Sequence, residues 1–377
     1  MGEMVINNTL FGGVYAGKKV LVTGNTGFKG SWLSLWLLEM GAEVYGLSNG
    51  VPDETCMFNQ LGIEKRIHHF WADVRDAAKV QEIIREVQPE FIFHLAAQAL
   101  VSVSYNAPLD TISTNVLGTA NVLEALRLEN PDCTAVIITS DKCYDNVEWV
   151  WGYKETDHMG GRDIYSGSKG AAEIIFKSYF HSFFQKETCK VRLCTARAGN
   201  VIGGGDWALD RIIPDCIRSW SKGQPVEIRS PKATRPWQHV LEPLSGYLTL
   251  GQKLSLDKSL HGQSFNFGPQ AENNHTVVEL LSAVGTIFDI PTGVQPFTIT
   301  GNIPFHEAGL LKLNCDKALF FLKWTPTLNY NELIDFTAQW YKACTQSTSD
   351  MYAFTMKQLE SYQTKASERA QIWTLNN

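Results

Sequence analysis

Thr23-Gly24-Asn25-Thr26-Gly27-Phe28-Lys29-Gly30 follows an apolar run, Lys18 to Thr23 (KKVLVT), and opens a helical pattern extending from Gly27 to Met40. A G-x-x-G-x-x-G turn in that setting predicts the first strand–turn–helix corner of an open α/β sheet. Gly24 permits the tight turn, Gly27 lets the backbone approach a pyrophosphate, and Gly30 lets the helix pack close to the strand. The helix N-terminus adds N–H groups and the positive end of a dipole. A corner with no chemical role would carry glycines too, but the strand before it and the helix after it favour binding of dinucleotide phosphates.

Working outward, short apolar runs alternate with helical patterns as far as residue 195. Further strands are expected at Glu43 to Leu47, Ile67 to Val74, Glu90 to Leu95, Ala135 to Thr139 and Lys190 to Thr195, and helices at Ala77 to Val87, Asn115 to Arg127 and Ser168 to Phe180. This alternation predicts βαβ units, and continuously apolar strands predict a parallel sheet covered on both faces. The expected fold is therefore α/β: a Rossmann-type doubly wound parallel sheet with a smaller C-terminal substrate-binding lobe. Residues 1–197 form the cofactor domain, with some later segments returning to it. Residues 198–350, which open on Gly203-Gly204-Gly205 and are richer in Pro and Trp, form the lobe, and 351–377 are a peripheral segment.

Composition narrows the function. Of 377 residues, 33 are Lys or Arg and 39 Asp or Glu, so the formal net charge is -6, and no basic block suggests a nucleic-acid partner. No apolar run approaches the ~20 residues of a membrane span. The first seventeen residues lack a signal peptide's basic start. The eight cysteines are scattered without C-x-x-C pairs, which reads as reduced thiols in a cytoplasm. The nine histidines show no metal-ligand spacing, so no metal is expected.

The acidic residue often found at the end of a second strand, where it grips the adenosine ribose, is replaced by Ser48 and Asn49. No Arg stands in that turn to hold a 2′-phosphate, so NAD is the expected cofactor. Asp73 ends the third strand and reads either as an acceptor for the adenine amino group or as an N-cap for the next helix.

Tyr165 and Lys169 are four residues apart, on one face of a helix. A free phenol, with a pKa of ~10, is a poor base at neutral pH, but a nearby ammonium and a nicotinamide cation both favour the phenolate. The pair can then accept a hydroxyl proton as hydride leaves. Thr139-Ser140-Asp141-Lys142 follows the fifth strand, at the sheet edge where reacting groups gather. A hydroxyl, a carboxyl and an amine in succession suggest chemistry beyond hydride transfer, but taken alone the turn reads better as a loop with a solvated ion pair.

The chain resembles the extended short-chain dehydrogenase/reductases, and within them the CDP-D-glucose 4,6-dehydratases. The resemblance is carried by TGNTGFKGSWL (23–33), HLAAQALV (94–101), TSDKCYDN (139–146), YSGSK (165–169), ARAGNVIGGGDW (196–207) and RPWQHVLEPLSGYL (235–248). Related dTDP-glucose dehydratases have Asp-Glu where this chain has Asp141-Lys142. The resemblance implies oxidation of CDP-glucose at C4, elimination of water across C5 and C6, and return of hydride to C6. The product, CDP-4-keto-6-deoxyglucose, would serve deoxysugar biosynthesis of the O-antigen type. By resemblance, Tyr165 takes the 4-hydroxyl proton, Ser140 hydrogen-bonds that hydroxyl and Asp141 is the acid toward the 6-hydroxyl. Lys142 is either the C5 base or a cation that stabilises the enolate. As a base it needs its pKa lowered by about 3 units, roughly 4 kcal/mol. Cofactor contacts are implied for Thr23, Gly24, Asn25, Thr26, Gly27, Phe28, Lys29, Gly30, Ser48, Asp73, Val74, Leu95, Ala96, Ala97, Gln98, Asn115, Thr139, Tyr165, Lys169 and Arg197.

A nucleoside diphosphate-sugar carries two anionic phosphates, which suit the guanidinium fork. Arg211 and Arg235 are assigned to it by resemblance, with Asn200 donating to a phosphate and Asp206 in the same site. Trp237 either lends a face to the base or belongs to the core. His239 reads as structural, and Glu307 is a candidate for reading the cytosine by its position alone. The resemblance also implies a homodimer or homotetramer. The alternatives are a 4-epimerase or a GDP-mannose dehydratase, or a non-catalytic dinucleotide-binding protein. Asp141-Lys142 argues against an epimerase, which needs no elimination chemistry.

Overall fold

Seven short strands form the central sheet of this computed structural model, which describes residues 9–270, 273–290, 295–300, 310–347 and 350–375. They are β1 (Lys19–Thr23), β2 (Glu43–Ser48), β3 (His68–Trp71), β4 (Phe91–His94), β5 (Thr134–Ile138), β6 (Arg192–Ala198) and β7 (Ser264–Phe267). Their spatial order is β7-β6-β5-β4-β1-β2-β3, and every pairing is parallel. β4, β5 and β7 are buried along their whole length, which is why their sequences are continuous rather than alternating.

Helices cover both faces. Under one face, α1 (Phe28–Glu39) shares a core with α6 (Leu241–Leu256), through side chains such as Trp32, Trp36, Leu244 and Tyr247. Under the other, α2 (Ala77–Val87), α3 (Gly118–Glu129) and α4 (Ile164–Tyr179) bury Ile83, Leu123 and Phe176. β1 lies at the centre with β4 on one side and β2 on the other, so the order reverses there and opens a crevice above the strand ends.

α4 begins four residues before its expected start because Asp163 caps it, Oδ1 accepting from the Ser166 N–H at 2.9 Å. Tyr165 and Lys169 therefore both sit inside the helix. β3 stops at Trp71, and residues 73–76 form a turn before α2.

Beyond β6 the chain also forms α5 (Ile212–Trp220), α7 (Val277–Phe288) and α8 (Tyr330–Gln346), plus short paired strands such as Thr234–Arg235 with His275–Thr276. The return of chain to the sheet is made by β7, which pairs with β6, and by α6 beneath it.

One expectation is corrected. The segment from residue 351 is not peripheral: α9 (Met351–Glu368) buries Leu359 and Tyr362, and Trp373 stacks on Phe11 at 5.0 Å. Thr355, Gln358 and Gln363 are buried with them: Thr355 Oγ1 accepts from Trp340 Nε1 at 2.9 Å and Gln358 Nε2 donates to the Phe336 carbonyl at 2.8 Å, so both apolar and polar contacts anchor the helix. Among the described residues, no helix is long and apolar enough to cross a membrane. All eight cysteines are free.

Candidate active site

A cleft of about 1140 Å³ runs along the C-terminal edge of the sheet, between the glycine turn and the lobe. Its inner half is lined by Gly24, Thr26, Gly27, Phe28, Lys29, Gly30, Ser48, Asp73, Val74, Leu95, Ala96, Ala97, Gln98 and Thr139. The glycines are dictated by contact: a Cβ on Gly30 would lie 2.1 Å from the Gly24 carbonyl oxygen, and one on Gly24 2.7 Å from the Ala96 nitrogen. α1 follows Gly27, which has no side chain to cap it, leaving its first N–H groups to an acceptor from the cleft. A bare helix N-terminus beside a glycine turn fits the pyrophosphate of a dinucleotide.

Other expected cofactor contacts stand behind this wall. Asn25 is fully buried, accepting from Ser48 Oγ at 2.9 Å and meeting His69 Nδ1 at 3.0 Å. Thr23 Oγ1 lies 2.7 Å from His94 Nδ1 and accepts from the Ala96 N–H. Asn115 holds Gln98 by its backbone and reaches Ser168 Oγ at 2.8 Å. These residues shape the wall and do not line the cleft.

Two expectations change. Asp73 is not an N-cap: Asp76 caps α2, accepting from the Lys79 N–H. Asp73 lines the cleft in the grip of Arg75, whose hydrogen bonds hold its carboxyl down at about 2, and it also accepts from Asn49 Nδ2 at 3.0 Å. Arg197 does not reach the cleft at all. It is fully buried below the end of β5, with Nε and Nη2 2.9 and 2.8 Å from the two Glu173 oxygens and Nη1 2.6 Å from the Tyr144 hydroxyl. It lies on a motif stretch, but the pleat turns its side chain toward α4.

The reacting groups converge over the ends of β5 and α4. Tyr165 and Lys169 line the cleft, and each is only 7% exposed. Burial pushes the Tyr165 phenol up to about 12, against a hydrogen bond with Ser140, and draws the Lys169 amine down to about 8. Loss of solvation thus disfavours the charged form of both, and a neighbouring cation is what would bring the phenolate within reach. Ser140, Asp141 and Lys142 occupy one short turn, where the Ser140 hydroxyl donates to Asp141 Oδ1 at 2.9 Å and accepts from the Lys142 N–H at 3.3 Å. Burial raises the Asp141 carboxyl, opposed chiefly by the Lys142 charge, which suits an acid that must hold its proton. Lys142 lines the cleft beside it.

The outer half of the cleft is lined by Asn200, Asp206, Arg211, Arg235 and Trp237. Asp206 fixes Arg211 at 2.8 Å, and Arg235 Nη1 donates to the Thr234 carbonyl. The Trp237 Nε1–H is buried without a partner. His239 lies deep in the core, where its Nδ1 accepts from the Leu241 N–H and burial draws its pKa down to about 3. Glu307 lies outside the described residues. Among the described residues, no three His, Cys, Asp or Glu side chains form a metal-sized cluster.

The sequence reading missed three residues here. Gly199 is needed because a Cβ there would lie 2.9 Å from Asp141 Oδ2; it sits in a motif stretch, next to the Asn200 that was singled out. Tyr247, in the last motif stretch, accepts from Lys29 Nζ at 3.3 Å. Arg229 lines the outer cleft, and no sequence pattern marked it.

Comparison with known proteins agrees with this architecture. A family model described as GDP-mannose 4,6 dehydratase matches residues 21–337. A CDP-glucose 4,6-dehydratase from Salmonella typhimurium is 44% identical over 351 residues, covering 92% of this chain and 97% of that protein. A UDP-glucose 4-epimerase of Thermus thermophilus, solved with NAD, superposes with a TM-score of 0.71 at 27% identity, covering 86% of this chain and 99% of that one. A dTDP-glucose 4,6-dehydratase from Streptomyces venezuelae shares the fold, with a TM-score of 0.74 at 19% identity, covering 88% of this chain and 99% of that one.

Proposed function

Because the chain belongs to the GDP-mannose 4,6-dehydratase family, we propose that it converts CDP-glucose to CDP-4-keto-6-deoxyglucose, with NAD held on the glycine turn. It is an NAD-dependent nucleotide-sugar 4,6-dehydratase, a hydro-lyase. The observation that carries this reading is the meeting of Tyr165 and Lys169 with Asp141 and Lys142 in one cleft, supported by 44% identity to a CDP-glucose 4,6-dehydratase. An epimerase would have no use for the buried acid.

NAD supplies the hydride acceptor at C4 and the donor at C6, so the reaction has no net redox change. The protein's own groups move the protons. Tyr165 takes the 4-hydroxyl proton, with Lys169 supplying the positive charge that favours the phenolate and Ser140 oriented on the same oxygen. The ketone at C4 acidifies the C5 proton. Lys142 removes that proton or stabilises the resulting enolate. Asp141 gives its proton to the 6-hydroxyl as the C6–O bond breaks and water leaves. The hydride returned to C6 is matched by a proton returned to C5, from Lys142 or water, and the proton taken at O4 equals the one given at O6, so a turnover is proton-neutral.

Arg211 and Arg235 bind the diphosphate, with Asn200 donating to a phosphate. Trp237 lines the same outer part of the cleft and lends a face to the base or shapes the pocket. The chain works in the cytoplasm as a homodimer or homotetramer. Leu109 and Ile174, 78% and 54% exposed, stand on helices that would meet across the pair.

The test is incubation of the purified protein with CDP-glucose and, separately, with dTDP-glucose, UDP-glucose and GDP-mannose, with mass spectrometry of the products. Loss of one water from the CDP sugar alone is expected. Turnover of another nucleotide sugar in preference, or none at all, refutes the reading.

A further inference from the structure

Elimination releases a water molecule at a point that both ligands enclose. With a dinucleotide in the inner half of the cleft and a nucleotide sugar in the outer half, the wide mouth is blocked when the C6–O bond breaks. Water left beside C6 adds back to the new double bond. A second, smaller cavity of about 200 Å³ adjoins the cleft. Asp141 and Gly199 alone among the described residues line both, so they form the partition. Gly199 keeps that partition thin: a Cβ there would lie 2.9 Å from Asp141 Oδ2.

Ser140, Lys142, Tyr165 and Lys169 line the cleft but not the side cavity. The side cavity thus borders the reaction only at the carboxyl assigned to the departing 6-hydroxyl. A hexose lodged in it would have no Tyr165 or Lys142 to act on it, so it is not the sugar's own site. From Asp141, 5% exposed, the cavity extends to Val150 and Trp151, 70% and 64% exposed, so its far end is at the surface. Pro236, Pro269, Leu311 and Leu313 give it apolar walls, which hold water weakly. Gln238, another wall residue, donates from Nε2 to the Phe267 carbonyl at 3.1 Å and keeps a buried Oε1 with no partner among the described residues. A bound water satisfies an acceptor of that kind, and at roughly 30 Å³ each several waters fit the volume.

We propose that the side cavity is the exit for the water formed at C6. The water passes Gly199 beside Asp141 and leaves at the Val150–Trp151 loop while both ligands stay bound. No bond is made or broken in this passage; its effect is to make the elimination irreversible within the site. The proposal deepens the CDP-glucose reading and rests on it.

The test uses holoenzyme bearing Gly268→Leu, Val150→Trp, or Gly268→Leu together with Trp151→Ala. Gly268 lines the side cavity, and a Cβ there would make ordinary contacts, 3.5 Å from Cys315 Sγ and 3.6 Å from Leu313 Cβ, so the position accepts a side chain that narrows the passage. Val150→Trp narrows the outer end at an exposed position, which keeps the test open if Gly268→Leu does not fold. Stopped-flow absorbance follows nicotinamide reduction, and rapid quench with mass spectrometry separates CDP-4-ketoglucose from its 5,6-ene and from product. Gly268→Leu is expected to lose about tenfold in kcat, because release of water becomes limiting. It keeps its affinity for CDP and its rate of nicotinamide reduction, and it accumulates CDP-4-ketoglucose as retained water adds back. Val150→Trp shows a smaller loss of the same kind. Trp151→Ala, by widening the outer end, restores at least half of the lost kcat. Wild-type kcat in the narrowed variants overturns the proposal. Slowed elimination that Trp151→Ala leaves unrelieved overturns it too, because it would mark a displaced Asp141, as does an equal loss of nicotinamide reduction. A wild-type protein inactive on CDP-glucose defeats the substrate reading instead.

Discussion

Replacing Arg197 by Met separates a scaffold role from a cofactor role. The guanidinium spans Glu173, Tyr144 and the Glu155 carbonyl with no exposure. Burial alone would push the Glu173 carboxyl up; the Arg197 charge and hydrogen bonds from Arg197, Thr139 and Thr195 more than reverse this. Met keeps much of the volume but leaves a carboxylate in the core facing only hydroxyl donors. Breaking a buried pair from one side costs about 3–5 kcal/mol. With an unfolding entropy of roughly 2.1 cal/mol/K per residue, a chain of 377 residues loses about 4–6 °C in Tm. Glu173→Leu placed on top restores about half of this, since no lone charge remains. Thermal unfolding followed by circular dichroism gives the shift, and calorimetric titration with NAD gives the affinity, measured well below Tm. An unchanged Tm with NAD affinity reduced tenfold or more would refute the argument, because the guanidinium would then be touching the cofactor.

Gly30→Ala places a Cβ 2.1 Å from the Gly24 oxygen, forcing the turn to open by about 1 Å at about 1–3 kcal/mol; copurified NAD, read by ultraviolet absorbance, should disappear. Lys142→Ala should still reduce nicotinamide transiently but fail to expel water, and normal deuterium exchange at C5 would exclude Lys142 as the base. The Tyr165 phenolate, measured by difference absorption against Tyr165→Phe, should form at lower pH with NAD than without. A nearby cation favours the anion, and burial without it holds the phenol at about 12, so equal midpoints would contradict the proposed pairing.

Local chemistry made much of the site legible. The glycine turn, the Tyr165–Lys169 spacing and the apolar runs of β1, β4 and β5 are short-range patterns, each fixed by neighbours within a few residues. The tail from residue 351 read as peripheral because its anchoring side chains, Leu359, Tyr362 and Trp373, are diluted among polar ones, and partners such as Phe11 and Trp36 lie hundreds of residues away. Arg197 misled for a related reason: sequence places a residue on a strand, but the pleat decides which face it serves.

Residue order alone is enough for the succession of strands and helices, the glycine corner and the pairing of Tyr165 with Lys169 on one helix face, since each depends on backbone period or on residue type at close spacing, whereas Asp141 and Lys142 stand out only through the resemblance. How those groups are tuned emerges on folding. Lys29 meets Tyr247 across 218 residues, and the Arg197 guanidinium closes on Glu173. Proton affinity depends on solvation and on charges within a few ångströms, and a linear chain does not contain those distances.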